Sequence, residues 1–147
     1  MVFSDTCVLN SYGDADSIDK MITIKSFIPF DPTNKRTEVT YVDKPTGNTH
    51  RATKGMPEVI IGLCIAAQTV SSEQANKIRT DVNEFARRGF RSLAVAIDKD
   101  GGHFQMVGLL PILDPPREDT AETINKAIKL GMKFFLLFVR KMNMPIK

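Results

Sequence analysis

"RTEVTYVDKPTGNTHRATK", from Arg36 to Lys54, decides the fold. Its first eight residues are rich in β-branched and aromatic side chains, the chemistry of a half-buried strand. "KPTGN" then supplies a turn, with Pro45 pre-setting φ and Gly47 closing it. "THRATK" returns as the second arm of a hairpin. Two antiparallel strands are therefore the nucleus from which the rest is read.

Upstream, "SFIPFDP" (Ser26–Pro32) is extended, because Pro29 and Pro32 forbid a helix and confine it to a sheet edge or loop. "DADSIDKMITI" before it reads as a short helix with Asp16 or Ser17 as N-cap. Downstream of Lys54-Gly55-Met56, Pro57 suits the first turn of a helix. "EVIIGLCIAA" is that helix, apolar on most sides and so expected to be buried. Ser71 with Gln74 makes a capping box for a longer helix that ends at Gly89. Its Ala75, Ile78, Val82, Phe85 and Ala86 keep helical spacing and form one buried stripe.

"FRSLAVAID" and "HFQMVGLL" flank "KDGG", a second hairpin signal. Small Ala94 and Ala96 alternate with Leu93, Val95 and Ile97, the pattern of a strand covered on both faces. The organisation changes at "PILDPPRED", where Asp114-Pro115-Pro116 makes a stiff link. A last helix, Glu118 to Leu130, leads through Gly131 into six apolar residues, Phe134 to Val139. Helix followed by buried strand is the opening of an α/β unit.

Composition excludes several functions. The 147 residues are 42% hydrophobic and 25% charged, as in ordinary globular proteins. A net charge of +3 without a basic run gives no case for nucleic acid but admits an anionic small ligand. No apolar stretch approaches the roughly 20 residues of a membrane span, and the N-terminus lacks the pattern of a secretory signal. Cys7 and Cys64 read as reduced thiols in a cytosolic setting, Cys64 as a small core residue. His50 and His103 are isolated, so no metal site is expected.

Three stretches share a chemistry. In "FIPFDPTNKR" the Phe30 ring is held stiffly between prolines and followed by Lys35 and Arg36. In "TKGMPE" Lys54 precedes Gly55, which lets a ligand approach the backbone. In "RRGFRSLAVA" Arg91 stands just before a buried strand. An aromatic face stacks on a base, and lysine and arginine neutralise phosphate. Each residue alone also has an ordinary reading, a core phenylalanine or a solvated charge.

Taken in order and at these separations, "FIPFDPTNKRTEVTYVD", "KGMPEVI", "RGFRSLAVA" and "GLLPILDPPREDTAETI" resemble the P-type ATPases, and among them the plasma-membrane proton pumps. The resemblance spans roughly Asp16 to Lys133. It implies an α+β nucleotide-binding domain, a twisted antiparallel sheet with packed helices, over residues 1–112. It further implies a hinge and the incomplete start of a phosphorylation domain over residues 113–147. Phe30 resembles the family's adenine-stacking residue, Lys54 and Gly55 its pocket lysine and glycine, and Arg91 its phosphate-side arginine. Asp19 resembles an acidic residue near the base, and Asp114, Pro115, Pro116 and Arg117 its hinge. Met56 stands where a smaller residue is usual. The ligand so implied is ATP, with magnesium as the nucleotide complex and no metal site in this chain.

The family's phosphorylated aspartate lies in an Asp-Lys-Thr stretch that this sequence lacks, and "FFLLFVRKMNMPIK" stands where its Thr-Gly-Asp should follow. The expectation is an ATP-binding fragment of a proton-transporting, ATP-hydrolysing pump. It is a cytosolic chain from a parent at the cytoplasmic face of the plasma membrane, not competent alone for phosphorylation or transport. The alternative is a remnant that does not bind nucleotide, or an interaction module.

Overall fold

Five strands, Ile22–Asp31 (β1), Arg36–Asp43 (β2), Thr49–Gly55 (β3), Arg91–Asp98 (β4) and Gln105–Ile112 (β5), form one sheet in the order β1-β2-β3-β4-β5. Every neighbouring pair is antiparallel. Among the described residues the helices are Ala15–Met21 (α1), Pro57–Ala66 (α2), Ser72–Arg87 (α3) and Thr120–Lys129 (α4). The computed structural model describes residues 8, 11, 15–99, 101–113, 118–133 and 135. The expected hinge, Asp114 to Arg117, lies outside the described residues, as do Cys7 and all of the Phe134–Val139 run except Phe135. The chain divides into two units, residues 1–114 and 115–147.

In the first unit, the hairpin of β2 and β3 pairs from Arg36↔Gly55 to Val42↔Thr49 without a shift. Its turn is closed by Gly47 at φ +71° and by the Thr46 hydroxyl, which donates to Asp43 at 2.6 Å. β1 is an edge strand, which is where Pro29 is tolerated. Its register shifts twice, between Ile24 and Ser26 and between Ile28 and Asp31. Such bulges, with Lys25 and Pro29, blunt an edge that would otherwise template further pairing.

The helices α2 and α3 pack on the face of β4 that carries Ala94 and Ala96. These two alanines form the core with Ile60, Ile61, Cys64, Val70, Ala75 and Phe104. Alanine is small enough to let a helix lie close to the strand, and burying the isoleucines there contributes about 1.5–3 kcal/mol each. Both bonds of the capping box form in α3: the Ser71 hydroxyl accepts the Gln74 amide, and the Gln74 side chain accepts the Ser71 amide. At its other end Gly89 takes φ +84°. Phe90 donates its amide back to Phe85 at 3.0 Å, and their rings meet edge to face at 6.3 Å. That is a Schellman stop with its apolar clasp.

Several details depart from the sequence reading. Asp16 and Ser17 lie inside α1 rather than capping it, since the helix begins at Ala15. Ala86 is exposed rather than part of the buried stripe, because it falls on the flank of α3 away from the sheet. Only one side of α2 is buried, and Ile65 is 39% exposed, since the helix crosses one sheet face and meets α3 on a single flank. "HF" does not open β5. Phe104 instead turns its ring into the core, and its carbonyl accepts the Thr69 hydroxyl at 2.6 Å.

In the second unit, α4 ends one residue before the expected Leu130. Gly131 at φ +84° and the Met132 amide, which donates to Ala127 at 3.1 Å, close it by the same Schellman device. No α4 residue is buried.

Candidate functional site

Side chains directly opposite one another in a sheet share a face. Lys54 pairs with Thr37 on one side and with Val95 on the other. Successive residues alternate faces, so this trio lies on the face opposite Ala94, Ala96 and the two packed helices. Phe30 sits in the second bulge of β1, where Pro29 and Phe30 together stand against Thr37. The register thus sets an aromatic, a hydroxyl and an ammonium in one row across β1, β2 and β3. The Phe30 side is open, with the residue 59% exposed, while Lys54 is half-buried.

Arg91 opens β4 on that same face, because it shares parity with Leu93 and Val95. It lies about 13 Å along the strand from the Lys54–Val95 pair, at 3.3 Å per residue. In an antiparallel meander the end of β1, the start of β2, the end of β3 and the start of β4 all fall at one end of the sheet. Phe30, Thr37, Lys54 and Arg91 are gathered by that topology, although 61 positions separate the first from the last.

Two hairpin ends are locked together beneath this row. The Asp31 carboxylate accepts the Thr33 amide at 3.0 Å, the Asn34 amide at 3.2 Å and the Asn34 side-chain amide at 2.5 Å. The Thr33 amide chiefly, with smaller help from Asn34 and against desolvation, holds the carboxyl below the usual aspartate range. Lys35 closes the turn in the left-handed region at φ 52°, its amide donating to the Asp31 carbonyl at 2.6 Å. The Lys35 carbonyl then accepts the Met56 amide at 3.0 Å. A Cβ on Gly55 would stand 2.5 Å from that same carbonyl oxygen and 2.6 Å from Arg36 Cβ. Gly55 is therefore required by its own chain, whose backbone fills the space the sequence reading left for a ligand.

Two further residues are placed differently from the sequence reading. Asp19 is on α1, before β1 begins, and its carbonyl accepts the Lys44 ammonium at 2.5 Å. Ile22 and Phe30 lie eight positions apart, about 26 Å along an extended strand. Asp19 is thus at the other end of the sheet and is not brought to the row. Arg36, which follows Lys35 in sequence, faces the helices. It pairs with Glu38 and donates to Thr53 Oγ1 at 3.2 Å. Strand alternation alone sends it there. Thr37 was not singled out from sequence, because its position beside Phe30 and Lys54 follows from the register and the bulge.

On the helix-bearing face, Arg51 binds the fully buried Asp98 at 2.6 Å, approaches Glu38 at 3.8 Å, and lies over the Phe104 ring at 5.0 Å. A hollow of about 650 Å³ between α3 and β5 is lined by Thr69, Gln74, Lys77, Ile78, Asp81 and Met106. None of the row residues borders it. Among the described residues no group of three or more His, Cys, Asp or Glu could hold a metal ion. No helix among them is long and apolar enough to cross a membrane.

The geometry defines an α+β domain with helices on one face of an antiparallel meander and an aromatic–cationic row on the other. Residues 1–119 match the family of the P-type ATPase cytoplasmic domain N. The chain belongs to that family.

Proposed function

We propose that the chain binds ATP on the sheet face opposite α2 and α3, as part of a P-type proton-transporting ATPase. One observation carries this reading: the register gathers Phe30, Thr37 and Lys54 into a row, with Arg91 on the same face at the same end of the sheet. Phe30 stacks on the adenine, Lys54 lies beside the base and sugar, and Arg91 receives the phosphates. Magnesium arrives with the phosphates, and phosphoryl transfer needs an acceptor carboxylate and metal-assisted positioning that this row does not supply. Within the pump, the domain works at the cytoplasmic face of the plasma membrane and presents the γ-phosphate to an aspartate elsewhere. Asp19 has no part in the pocket so drawn, and Asp114 to Arg117 act as the hinge beyond it. Calorimetric titration of the chain with ATP tests the reading; heats indistinguishable from dilution at millimolar ATP would defeat it.

A second reading has its own observation. Ile24 and Phe27, each 61% exposed, share the face of Lys54 through their pairing with Tyr41 and Val39. An apolar strip along that face suits a protein partner better than a nucleotide. Under that reading the chain is an interaction module, and partner binding survives the loss of Phe30.

A further inference from the structure

Asp31 ends β1 opposite Arg36, on the face away from the Phe30–Lys54 row. Both of its carboxylate oxygens are engaged: Oδ1 accepts the Thr33 amide, and Oδ2 accepts the Asn34 amide and side chain. Pro32 has no N–H to offer, so Thr33 is the first donor the turn can present. The turn those bonds define returns Lys35 in a left-handed conformation, with its carbonyl aimed at the Met56 amide. Phe30 immediately precedes Asp31, and Lys54 immediately precedes Gly55, whose backbone packs against that carbonyl.

We propose that Asp31 is a positioning residue that couples the aromatic on β1 to the lysine on β3: its carboxylate holds Thr33 and Asn34 in the turn, the Lys35 amide returns to the Asp31 carbonyl, and the Lys35 carbonyl accepts the Met56 amide. This rests on the nucleotide reading above in one respect, that the coupled residues share a ligand. Asp31 itself touches no ligand. Its carboxylate clamps the β1–β2 turn, and the turn clamps the β3–α2 junction. A relaxed turn lets Phe30 and Lys54 drift independently, and a ligand held between them loses its pre-organised site.

Acid titration follows from the same bonds. The folded carboxyl is held below the ordinary aspartate value, so its contribution is present above the unfolded pKa and is lost as the pH falls through the folded one. Protonation turns Oδ1 or Oδ2 from acceptor to donor and releases an amide.

The test uses the full chain, ¹⁵N-labelled, with Asp31→Ala and Asp31→Asn. Amide spectra are followed between neutral and acid pH, and ATP and adenosine binding are measured by calorimetry. In the wild type the Thr33, Asn34 and Met56 amides should shift together, with a midpoint below the usual aspartate value. Asp31→Ala should displace the Met56 resonance at neutral pH and weaken both ligands by about tenfold. Asp31→Asn, which keeps an acceptor for Thr33, should recover binding to within a few-fold and abolish the acid shift at Met56. A Met56 amide indifferent to pH and to Asp31→Ala overturns the proposal. So does an asparagine variant as weak as the alanine one. If the wild type binds neither ligand, the nucleotide reading fails, and the Met56 titration still decides the coupling.

Discussion

The Lys35 carbonyl oxygen lies 2.5 Å from where a Cβ on Gly55 would be, and the same oxygen accepts the Met56 amide at 3.0 Å. Backbone meets backbone at that point, so no rotamer change relieves an added methyl. Gly55→Ala is expected to cost about 1–3 kcal/mol, the usual penalty for overpacking, measured by urea unfolding. It should also weaken ATP binding, because the shift falls between Lys54 and α2. An alanine variant as stable as the parent would show that the β3–α2 junction gives way freely.

Phe30 is expected to act on the base alone. One aromatic platform contributes about 1–3 kcal/mol per base, so Phe30→Ala should lower affinity for adenosine and ATP by a similar factor of about ten or more. Phe30→Trp preserves a stacking face and should retain most of the binding. Equal affinity of the wild type and the alanine variant, by calorimetry, would remove the ring from the site.

Lys54 and Arg91 should divide the ligand between them. Arg91→Ala is expected to reduce the preference for ATP over adenosine, and added salt should shrink the same preference through screening. Lys54→Ala should weaken both ligands, and Lys54→Arg should not restore them, since a planar guanidinium does not replace a compact ammonium in a half-buried position. An ATP-to-adenosine ratio unchanged by Arg91→Ala would place the phosphates elsewhere.

Much of this architecture is written locally. The β2–β3 hairpin follows from alternation bounded by Pro45 and Gly47, and α3 from Ser71, Gln74 and Gly89, because caps and turns depend on residues within one turn of each other. What resisted sequence reading depends on register. Whether Arg36 faces helix or ligand is a matter of parity, and Thr37 enters the row only because a bulge sets Phe30 against it. The family resemblance sets Asp19 near the base. A ten-residue strand carries the ring to the opposite end of the sheet. Gly55 was legible as a close approach, but sequence could not say that the approaching group is the Lys35 carbonyl.

Burial pushes the Cys64 thiol up, against a smaller lowering by its contact with Thr69. The thiolate is the reactive form, so Cys64 should resist alkylation at pH 8 until the domain opens. The stability contributed by the protonated thiol is complete below the ordinary cysteine pKa and declines as the pH rises through the folded value. Mass-resolved labelling across a urea gradient checks this. Modification of Cys64 well before the unfolding transition would mean that α2 opens locally.

Asp98 is fully buried, with the Arg51 guanidinium at 2.6 Å and the Gly102 amide donating at 3.1 Å. Taking away one partner of such a pair leaves a charge in a poorly solvating place, which costs about 3–5 kcal/mol. Arg51→Leu should therefore consume a large share of the roughly 5–15 kcal/mol by which a domain is stable. Asp98→Asn removes the charge but keeps an acceptor for Gly102, so it should cost less. The double variant should cost less than the sum of the two, because the leucine no longer faces an ion. Arg51 and Asp98 lie on the face away from Phe30 and Lys54, so ATP affinity of the folded double variant should equal that of the wild type. Strictly additive losses in urea unfolding would show the pair to be uncoupled, and the burial of Asp98 would then rest on Gly102 and its other neighbours.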